Sequence, residues 1–231
     1  MLKTLERKHP PVTDIKFCGI TTPEALNAAG KNKAAYAGFM MWEKSPRALR
    51  IEQARALSLR QPDDLRIVGV FVNPSDEQLT RTLAEVPMDM IQLHGDEDAG
   101  RIAAIRAMTG LPVMKAIRIA AREDLFAVPS LEAVADWLLF DTKVDPKISN
   151  LPGGTGMSFD WQILKDRNLR KPWMLSGGLN SENVGRALSI LKPYAVDVSS
   201  GIEDAPGVKN AGKMKNFAQA VSAAASPMDF Y

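Results

Sequence analysis

The segment LRIVGVFVNPSDEQLTRTLAEVPMDMIQLHGDE, residues 65–97, carries the pattern that decides the fold. Runs of β-branched and apolar residues at 65–72 and 88–94 predict two buried strands. Residues 75–86 between them have helical periodicity, and Ser75 can accept hydrogen bonds from the free amides of a first helical turn. A strand, a helix and a second strand in this order are typical of a parallel βαβ unit with a right-handed crossover.

The same alternation continues on both sides of this unit. Further strands are predicted at residues 14–19, 34–41, 113–119, 137–142, 173–176 and 195–199. Helical patterning occurs at 23–30, 51–59, 96–108, 122–134, 159–167, 181–191 and 208–224. Eight right-handed crossovers bring the last strand beside the first, so the sequence predicts the α/β class and a single (β/α)8 TIM barrel.

Length and composition fit one catalytic domain. The chain has 231 residues, of which 45% are hydrophobic and 24% charged, so it can bury a large core without disulfides or metals. We predict that the barrel domain spans residues 14–231. Residues 1–13 contain two prolines and several charges, and we expect a mobile N-terminal extension there.

Charge and hydropathy argue against several classes of partner. The formal net charge is only +2, and no run of Lys and Arg is interleaved with aromatic residues, so nucleic acid is not expected. No apolar stretch approaches the ~20 residues that cross a bilayer, and the basic start of the chain lacks the apolar core of a signal peptide. We therefore expect no membrane partner and a cytoplasmic protein.

Metal and disulfide chemistry have little support in the sequence. Cys18 is the single cysteine, and the two histidines, His9 and His94, lie far apart. No zinc-binding spacing of histidine and cysteine is present, so we predict no metal. A lone histidine is more often structural than catalytic, and His94 is given no catalytic role.

Polar side chains lie near the carboxyl ends of two predicted strands and in the loop after a third, where a barrel of this kind carries its active site. They are Cys18 within KFCGIT, Arg47 within KSPR and Asp141 after LLF. A thiol near the cation of Lys16 can act as a base, a guanidinium can clamp a carboxylate, and a partly desolvated aspartate can keep a proton. Each also has a plain alternative: a packed cysteine, a solvated arginine and a loop-capping aspartate.

Three glycine-rich turns follow the sixth, seventh and eighth strands. They contain Gly154, Thr155 and Gly156, then Ser176, Gly177 and Gly178, then Ser199, Ser200 and Gly201. Glycine lets main-chain amides approach an anion closely, and the loops after the last two barrel strands frequently bind phosphate. These turns in succession predict a site for a small phosphorylated molecule.

Seven sequence blocks in this order resemble the phosphoribosylanthranilate isomerase family. They are KFCGIT (16–21), KSPR (44–47), VGVFVN (68–73), IQLHGDE (91–97), GGTG with FDW (153–161), LSGGL (175–179) and DVSSGIE (197–203). Two places differ from the family's pattern: Asn210 stands where aspartate is usual, and the segment MMWE at 40–43 is unusual. Asn210 can still cap a helix.

The resemblance implies a cofactor-free aldose–ketose isomerase of tryptophan biosynthesis. Its reaction is the Amadori rearrangement of N-(5-phosphoribosyl)anthranilate to 1-(2-carboxyphenylamino)-1-deoxyribulose 5-phosphate. By analogy, Asp141 is the general acid, Cys18 is the general base, and Arg47 holds the anthranilate carboxylate. Asp197 is assigned to the anthranilate amine or a hydroxyl, although an aspartate that only satisfies its own neighbours fits equally well.

Other functions and assemblies stay open from the sequence. A related phosphosugar isomerase on a similar barrel is expected to use paired carboxylates, and Cys18 argues against it. A non-catalytic barrel that binds a sugar phosphate needs the glycine turns, but it needs no acid and base on different strands. Both a monomer and a homodimer are compatible with the sequence.

Overall fold

The computed structural model describes residues 13–143, 160–165 and 167–225. Eight parallel strands close into a barrel in which each strand pairs with the next and β8 pairs with β1. They are β1 (Asp14–Cys18), β2 (Tyr36–Met40), β3 (Arg66–Phe71), β4 (Met90–Leu93), β5 (Val113–Ile119), β6 (Trp137–Thr142), β7 (Trp173–Leu175) and β8 (Ala195–Val198). The predicted α/β class and the single (β/α)8 barrel are confirmed, and every predicted strand is found.

Helices on the outside of the barrel connect most of the strands. They are α1 (Pro23–Lys31), α2 (Ile51–Ser58), α3 (Asp76–Glu85), α4 (Ala99–Thr109), α5 (Val128–Glu132), α6 (Val184–Ile190) and α7 (Ala211–Ala225). Ser75 caps α3 as predicted, because its hydroxyl accepts a 3.1 Å hydrogen bond from the amide of Gln78. Asn210 caps α7 in the same way, with its side-chain oxygen 2.9 Å from the amide of Lys213.

Two predicted helices are shorter or tighter in the structure. The region predicted at 122–134 consists of a 3-10 helix, Arg122–Ala127, followed by the short α5. In the region predicted at 159–167, the described residues form a 3-10 turn at Trp161–Leu164. Apolar spacing of three and four residues is common to both helix types over one or two turns, so periodicity alone does not separate them.

The prediction that the last helix begins at Val208 is wrong. Val208–Lys209 is strand β10, which pairs antiparallel with β9 (Glu203–Ala205) in a small hairpin. Pro206 and Gly207 form its turn, and Gly207 has a φ of 86°, which glycine adopts without strain. The Pro-Gly pair was a readable turn signal, and α7 starts only after it.

The barrel interior is filled by side chains from every second strand residue. This inner cluster contains Tyr36, Val68, Met90, Met114, Ala116, Leu139, Met174 and Ala195. Because alternate residues share a face, Asp141 points to the same side as Leu139, and Asp197 points to the same side as Ala195. The interior packing therefore directs both carboxylates into the mouth of the barrel.

Some expectations concern residues outside the described ranges, or the chain as a whole. Residues 1–12 lie outside the described residues, so the N-terminal extension stays a prediction. Within the described residues, no helix has both the length and the apolar character to span a bilayer.

Candidate active site

A cavity opens at the carboxyl ends of the strands, with about 670 Å³ of empty space including its mouth. Its walls bring together Cys18 from β1, Arg47 from the loop after β2, Asp141 from β6 and Asp197 from β8. Residues from the turns after β7 and β8 also line it, namely Ser176, Gly177, Gly178, Ser199 and Ser200. The closed barrel thus places residues from the ends of five strands, or from the loops that follow them, around one space.

Cys18 lines this cavity beside a buried ion pair. The Nζ of Lys16 donates to Oδ1 of Asp197 over 2.8 Å, and the hydroxyl of Ser176 donates to Oδ2 over 3.0 Å. Lys16 is fully buried and Asp197 is 4% exposed. Asp197 is therefore satisfied by two side chains, Lys16 and Ser176, while it still forms part of the cavity wall.

Gly38 on β2 makes room for this arrangement. A Cβ atom at residue 38 would lie 2.9 Å from the sulfur of Cys18 and 3.2 Å from Nζ of Lys16. The thiol and the ammonium therefore pack against the same piece of backbone, and a larger residue would displace one of them. Gly38 lies within a predicted strand, and no local sequence signal marks it as part of the site.

The charges around Cys18 act in opposite directions on its proton. Burial and the anion of Asp197 raise the pKa of the Cys18 thiol, whereas the cations of Lys16 and Lys209 lower it, and the net pKa is raised. Burial also opposes the charged form of Lys16, but Asp197 and the Cys18 sulfur outweigh it and hold the pKa of Lys16 above its usual value. Lys16 is therefore a permanent cation beside the thiol, and it stabilises the thiolate once the proton has left.

Asp141 is 4% exposed and lies at the carboxyl end of β6. Its Oδ1 accepts a 2.8 Å hydrogen bond from the amide of Thr142. Its Oδ2 is 3.1 Å from Nε2 of His94, and Nδ1 of His94 is 2.8 Å from Nε2 of Gln92. With the amide nitrogen of Gln92 as the donor to Nδ1, this arrangement corresponds to the tautomer of His94 that has its proton on Nε2 and donates it toward Asp141.

His94 and Gln92 are functional candidates that sequence reasoning did not assign. Both lie at the carboxyl end of β4, two residues apart, so they share the inner face of the barrel. His94 also lines the cavity. The position of a histidine directly after a barrel strand was the signal available in the sequence.

Arg47 is 6% exposed, so it is not a solvated loop residue. Its Nε and Nη2 donate to the two carboxylate oxygens of Glu203 over 2.8 and 2.7 Å. Lys209 donates to the same carboxylate over 2.7 Å. Burial disfavours these charges, but hydrogen bonds within the cluster hold the pKa of Glu203 below its usual value and that of Arg47 above it.

The turn after β7 offers free backbone amides. Gly177 and Gly178 have φ values of 92° and 62°. A Cβ on Gly177 would come within 2.2 Å of Oγ1 of Thr142, so only glycine fits there. No described residue accepts a hydrogen bond from the amide of either glycine, which leaves both available to an anion.

The other predicted phosphate-binding residues have varied positions. The hydroxyl of Ser176 donates to Asp197, and its amide donates to the carbonyl of Phe140. The hydroxyl of Ser199 accepts a hydrogen bond from Lys209. Gly201 packs against the carbonyl of Leu179 and is not part of the cavity wall. Gly154, Thr155 and Gly156 lie outside the described residues.

An apolar section completes the cavity wall. Met40 and Trp42, from the unusual segment 40–43, line it together with Val72 and Leu179. Apolar and aromatic side chains in the same cavity as a buried guanidinium suit an aromatic ring that bears a carboxylate. In the described part of the chain, no cluster of histidine, cysteine and carboxylate side chains has the composition of a metal site.

Comparison with known proteins identifies close relatives. A family model described as N-(5'phosphoribosyl)anthranilate (PRA) isomerase matches residues 15–220. The isomerase of Rhodospirillum centenum is 46% identical over 203 residues, which are 88% of this chain and 95% of the relative. The isomerase structure from Thermotoga maritima has a TM-score of 0.82 at 32% identity and covers 92% of this chain and 100% of its own. An isomerase structure in complex with reduced 1-(o-carboxyphenylamino)-1-deoxyribulose 5-phosphate has a TM-score of 0.80, with 32% identity and coverage of 92% and 100%.

Proposed function

The chain belongs to the N-(5'-phosphoribosyl)anthranilate isomerase family, and we propose that Cys18 and Asp141 carry out the proton transfers of its reaction. The protein is an isomerase of tryptophan biosynthesis. It converts N-(5-phosphoribosyl)anthranilate into 1-(2-carboxyphenylamino)-1-deoxyribulose 5-phosphate by an Amadori rearrangement. The two proton-transfer roles rest on the placement of an acid and a base on different strands around one cavity.

The first step is opening of the sugar ring. Asp141 donates a proton to the furanose oxygen while the lone pair of the anthranilate nitrogen forms a double bond to sugar carbon one. The bond between that carbon and the ring oxygen breaks, which gives a protonated Schiff base. The contact with His94 holds the carboxyl group of Asp141 in the cavity wall, which suits proton delivery to a substrate atom in the cavity.

The second step is removal of the proton from sugar carbon two. The thiolate of Cys18 takes this proton, and the electrons of the carbon–hydrogen bond move toward the cationic nitrogen to form an enolamine. Tautomerisation then places a ketone at carbon two and a methylene at carbon one. The steps need only proton transfers and changes of bonds within the substrate, so the mechanism requires no cofactor. Lys16 stabilises the thiolate that removes the proton from sugar carbon two.

The remaining walls provide groups for the ends of the substrate. Arg47 holds the anthranilate carboxylate, and Met40 and Trp42 contact the ring. The free amides of Gly177 and Gly178 bind the phosphate, with Ser199 and Ser200 nearby in the cavity wall. Asp197, which Lys16 already holds, is available to the anthranilate nitrogen or a sugar hydroxyl.

Steady-state conversion of N-(5-phosphoribosyl)anthranilate, with protium or deuterium at sugar carbon two, tests this function. We expect turnover and a primary isotope effect on the Cys18 step in the purified protein. Binding of the substrate without turnover would instead select a sugar-phosphate-binding barrel. Turnover that survives loss of both Cys18 and Asp141 would show that other groups move the protons.

We propose that the protein acts in the cytoplasm. A small phosphorylated molecule is its expected partner, and neither nucleic acid nor a membrane has a role in the mechanism. The assembly is proposed to be a monomer or a homodimer, and the elution volume with light scattering distinguishes the two.

A further inference from the structure

Among the described residues, only part of the hydrogen-bonding capacity of the Arg47 guanidinium is occupied. A guanidinium has five N–H groups in one plane. Glu203 occupies the side formed by Nε and one N–H of Nη2. The adjacent edge, formed by Nη1 and the second N–H of Nη2, has no acceptor among the described residues, although Arg47 lines the cavity.

The cluster around Glu203 also has an unmatched positive charge. Arg47 and Lys209 both donate to the single carboxylate of Glu203, at side chains that are 7% exposed or less. Two buried cations with one anion attract a second anion, because burial without a partner is unfavourable for a charge. A carboxylate bound at the free edge of Arg47 would balance the cluster.

Neighbouring groups hold Glu203 and Arg47 in this orientation. Nζ of Lys209 also donates to the carbonyl and the hydroxyl of Ser199, over 3.1 and 3.2 Å. The aliphatic part of Arg47 packs so closely on Gly19 that a Cβ there would lie 2.5 Å from Cδ of Arg47. Glu203 is thereby fixed by the hairpin of β9 and β10, and Arg47 is fixed by Glu203 and by Gly19.

We propose that Glu203 is a positioning residue that turns the free edge of Arg47 toward the aromatic carboxylate of the substrate. This inference rests on the proposed role of Arg47 in holding that carboxylate. Glu203 takes one side of the planar group, so the substrate meets a pre-oriented pair of N–H donors at the other. Glu203 therefore favours substrates with a carboxylate on the ring and contributes nothing to binding of the phosphate or the sugar.

Two ligands that differ only in the carboxyl group test the proposal. One is reduced 1-(o-carboxyphenylamino)-1-deoxyribulose 5-phosphate, and the other is its counterpart with an unsubstituted phenyl ring. In Glu203→Gln we expect the Kd of the carboxylated ligand to rise about 10- to 100-fold, the range of a lost charge-assisted contact. The Kd of the phenyl ligand should change by less than about threefold, and titration calorimetry measures both.

Matched variants separate positioning from general damage. Asp204→Asn removes the neighbouring carboxylate of the same hairpin, which pairs with Lys213 and Asn210, and it should leave both Kd values unchanged. Glu203→Asp keeps the charge but shortens the side chain, so it should recover part of the affinity for the carboxylated ligand. It also serves as the test if Glu203→Gln does not fold.

The outcomes that overturn the proposal are distinct from failure of the proposed function. Equal weakening of both ligands in Glu203→Gln would mean that Glu203 only stabilises the fold. Tighter binding of the carboxylated ligand would mean that Glu203 only neutralises charge. Arg47→Ala should also raise the Kd of the carboxylated ligand more than the Kd of the phenyl ligand. If Arg47→Ala has this selective effect and Glu203→Gln does not, only the positioning role of Glu203 is wrong. If Arg47→Ala does not discriminate, the carboxylate site itself is elsewhere and both proposals are wrong.

Discussion

Cys18 at the end of β1 and Asp141 at the end of β6 occupy similar places in the barrel, but their surroundings differ. Cys18 lies beside Lys16, a fully buried cation that is paired with Asp197. Asp141 instead contacts the imidazole of His94, which in turn contacts the neutral side chain of Gln92. One reactive group has a permanent charge next to it, and the other has a hydrogen-bond chain.

Under the proposed roles, this difference accounts for a base and an acid in one cavity. A fixed cation favours the ionised form of a neighbouring acid, which suits a thiol that must lose its proton. The imidazole of His94 instead orients the carboxyl group of Asp141 in the cavity wall, which suits a residue proposed to deliver a proton. Cys18 and Asp141, which both lie at carboxyl ends of barrel strands, are thus suited to opposite proposed roles by their neighbours.

Removal of either reactive group should have the largest effect. We expect kcat to fall at least about 100-fold in Cys18→Ala and in Asp141→Asn, because each loses one proton-transfer step. Steady-state turnover measures this. Asp64→Asn, a carboxylate in an exposed turn, is the matched control and should keep wild-type activity. Near wild-type turnover in either active-site variant would remove that residue from the mechanism.

Removal of the Lys16 cation should change the pH dependence of the step assigned to Cys18. Burial already raises the pKa of Cys18, so kcat/KM of the wild type should increase with pH as the thiol loses its proton. Lys16→Met takes away a group that lowers this pKa, so the rise should move to higher pH. At neutral pH we expect kcat/KM to fall about tenfold, because a smaller fraction of Cys18 is then present as the thiolate. The pH profile of kcat/KM is the measurement.

Stability is the necessary control for that variant. Lys16→Met leaves Asp197 buried without its cation, which costs about 3 to 5 kcal/mol of unfolding free energy. Urea unfolding shows whether the protein is folded under assay conditions. Lys16→Arg keeps the positive charge and should keep the wild-type pH profile. An unmoved profile in folded Lys16→Met would show that the cation does not act on the thiol.

Loss of the imidazole should have a smaller effect on the Asp141 side. In His94→Ala, Oδ2 of Asp141 loses its hydrogen-bond partner, and we expect kcat to fall about tenfold, the cost of one buried contact of ~1.4 kcal/mol. His94→Gln retains a donor and should recover part of the activity. Steady-state turnover of both variants measures the contribution of His94. An unchanged kcat in both variants would show that His94 is only a packing residue.

The smallest effect is expected at Gln92, which lies farthest from the cavity in the series of contacts from Asp141 through His94 to Gln92. Gln92→Leu removes the donor to Nδ1 of His94, so the proton of the imidazole can move to Nδ1 and no longer point at Asp141. We expect a two- to threefold lower kcat, roughly the 0.5 kcal/mol of a weak hydrogen bond. Proton and nitrogen NMR of the labelled histidine reports the tautomer directly. The Nε2–H form in both proteins would show that Gln92 does not select it.

Much of the fold and part of the site could be read from the sequence alone. Alternation of apolar and β-branched runs with helical stretches is a local property, so the eight strands and the closed barrel followed from it. Strand ends are local too, which is why Cys18 and Asp141 could be named as candidates. Glycine pairs marked the turn at Gly177 and Gly178, because positive φ values require that residue.

The pairing of these residues was decided only by the tertiary structure. Lys16 meets Asp197 across 181 positions of sequence, Arg47 meets Glu203 across 156, and His94 meets Asp141 across 47. Such contacts depend on the register in which the barrel closes and on which side chains its interior leaves room for, as at Gly38. Local patterns contain neither quantity. Sequence therefore determined which groups are present at the mouth of the barrel, and closure of the barrel determined which charge stands beside each.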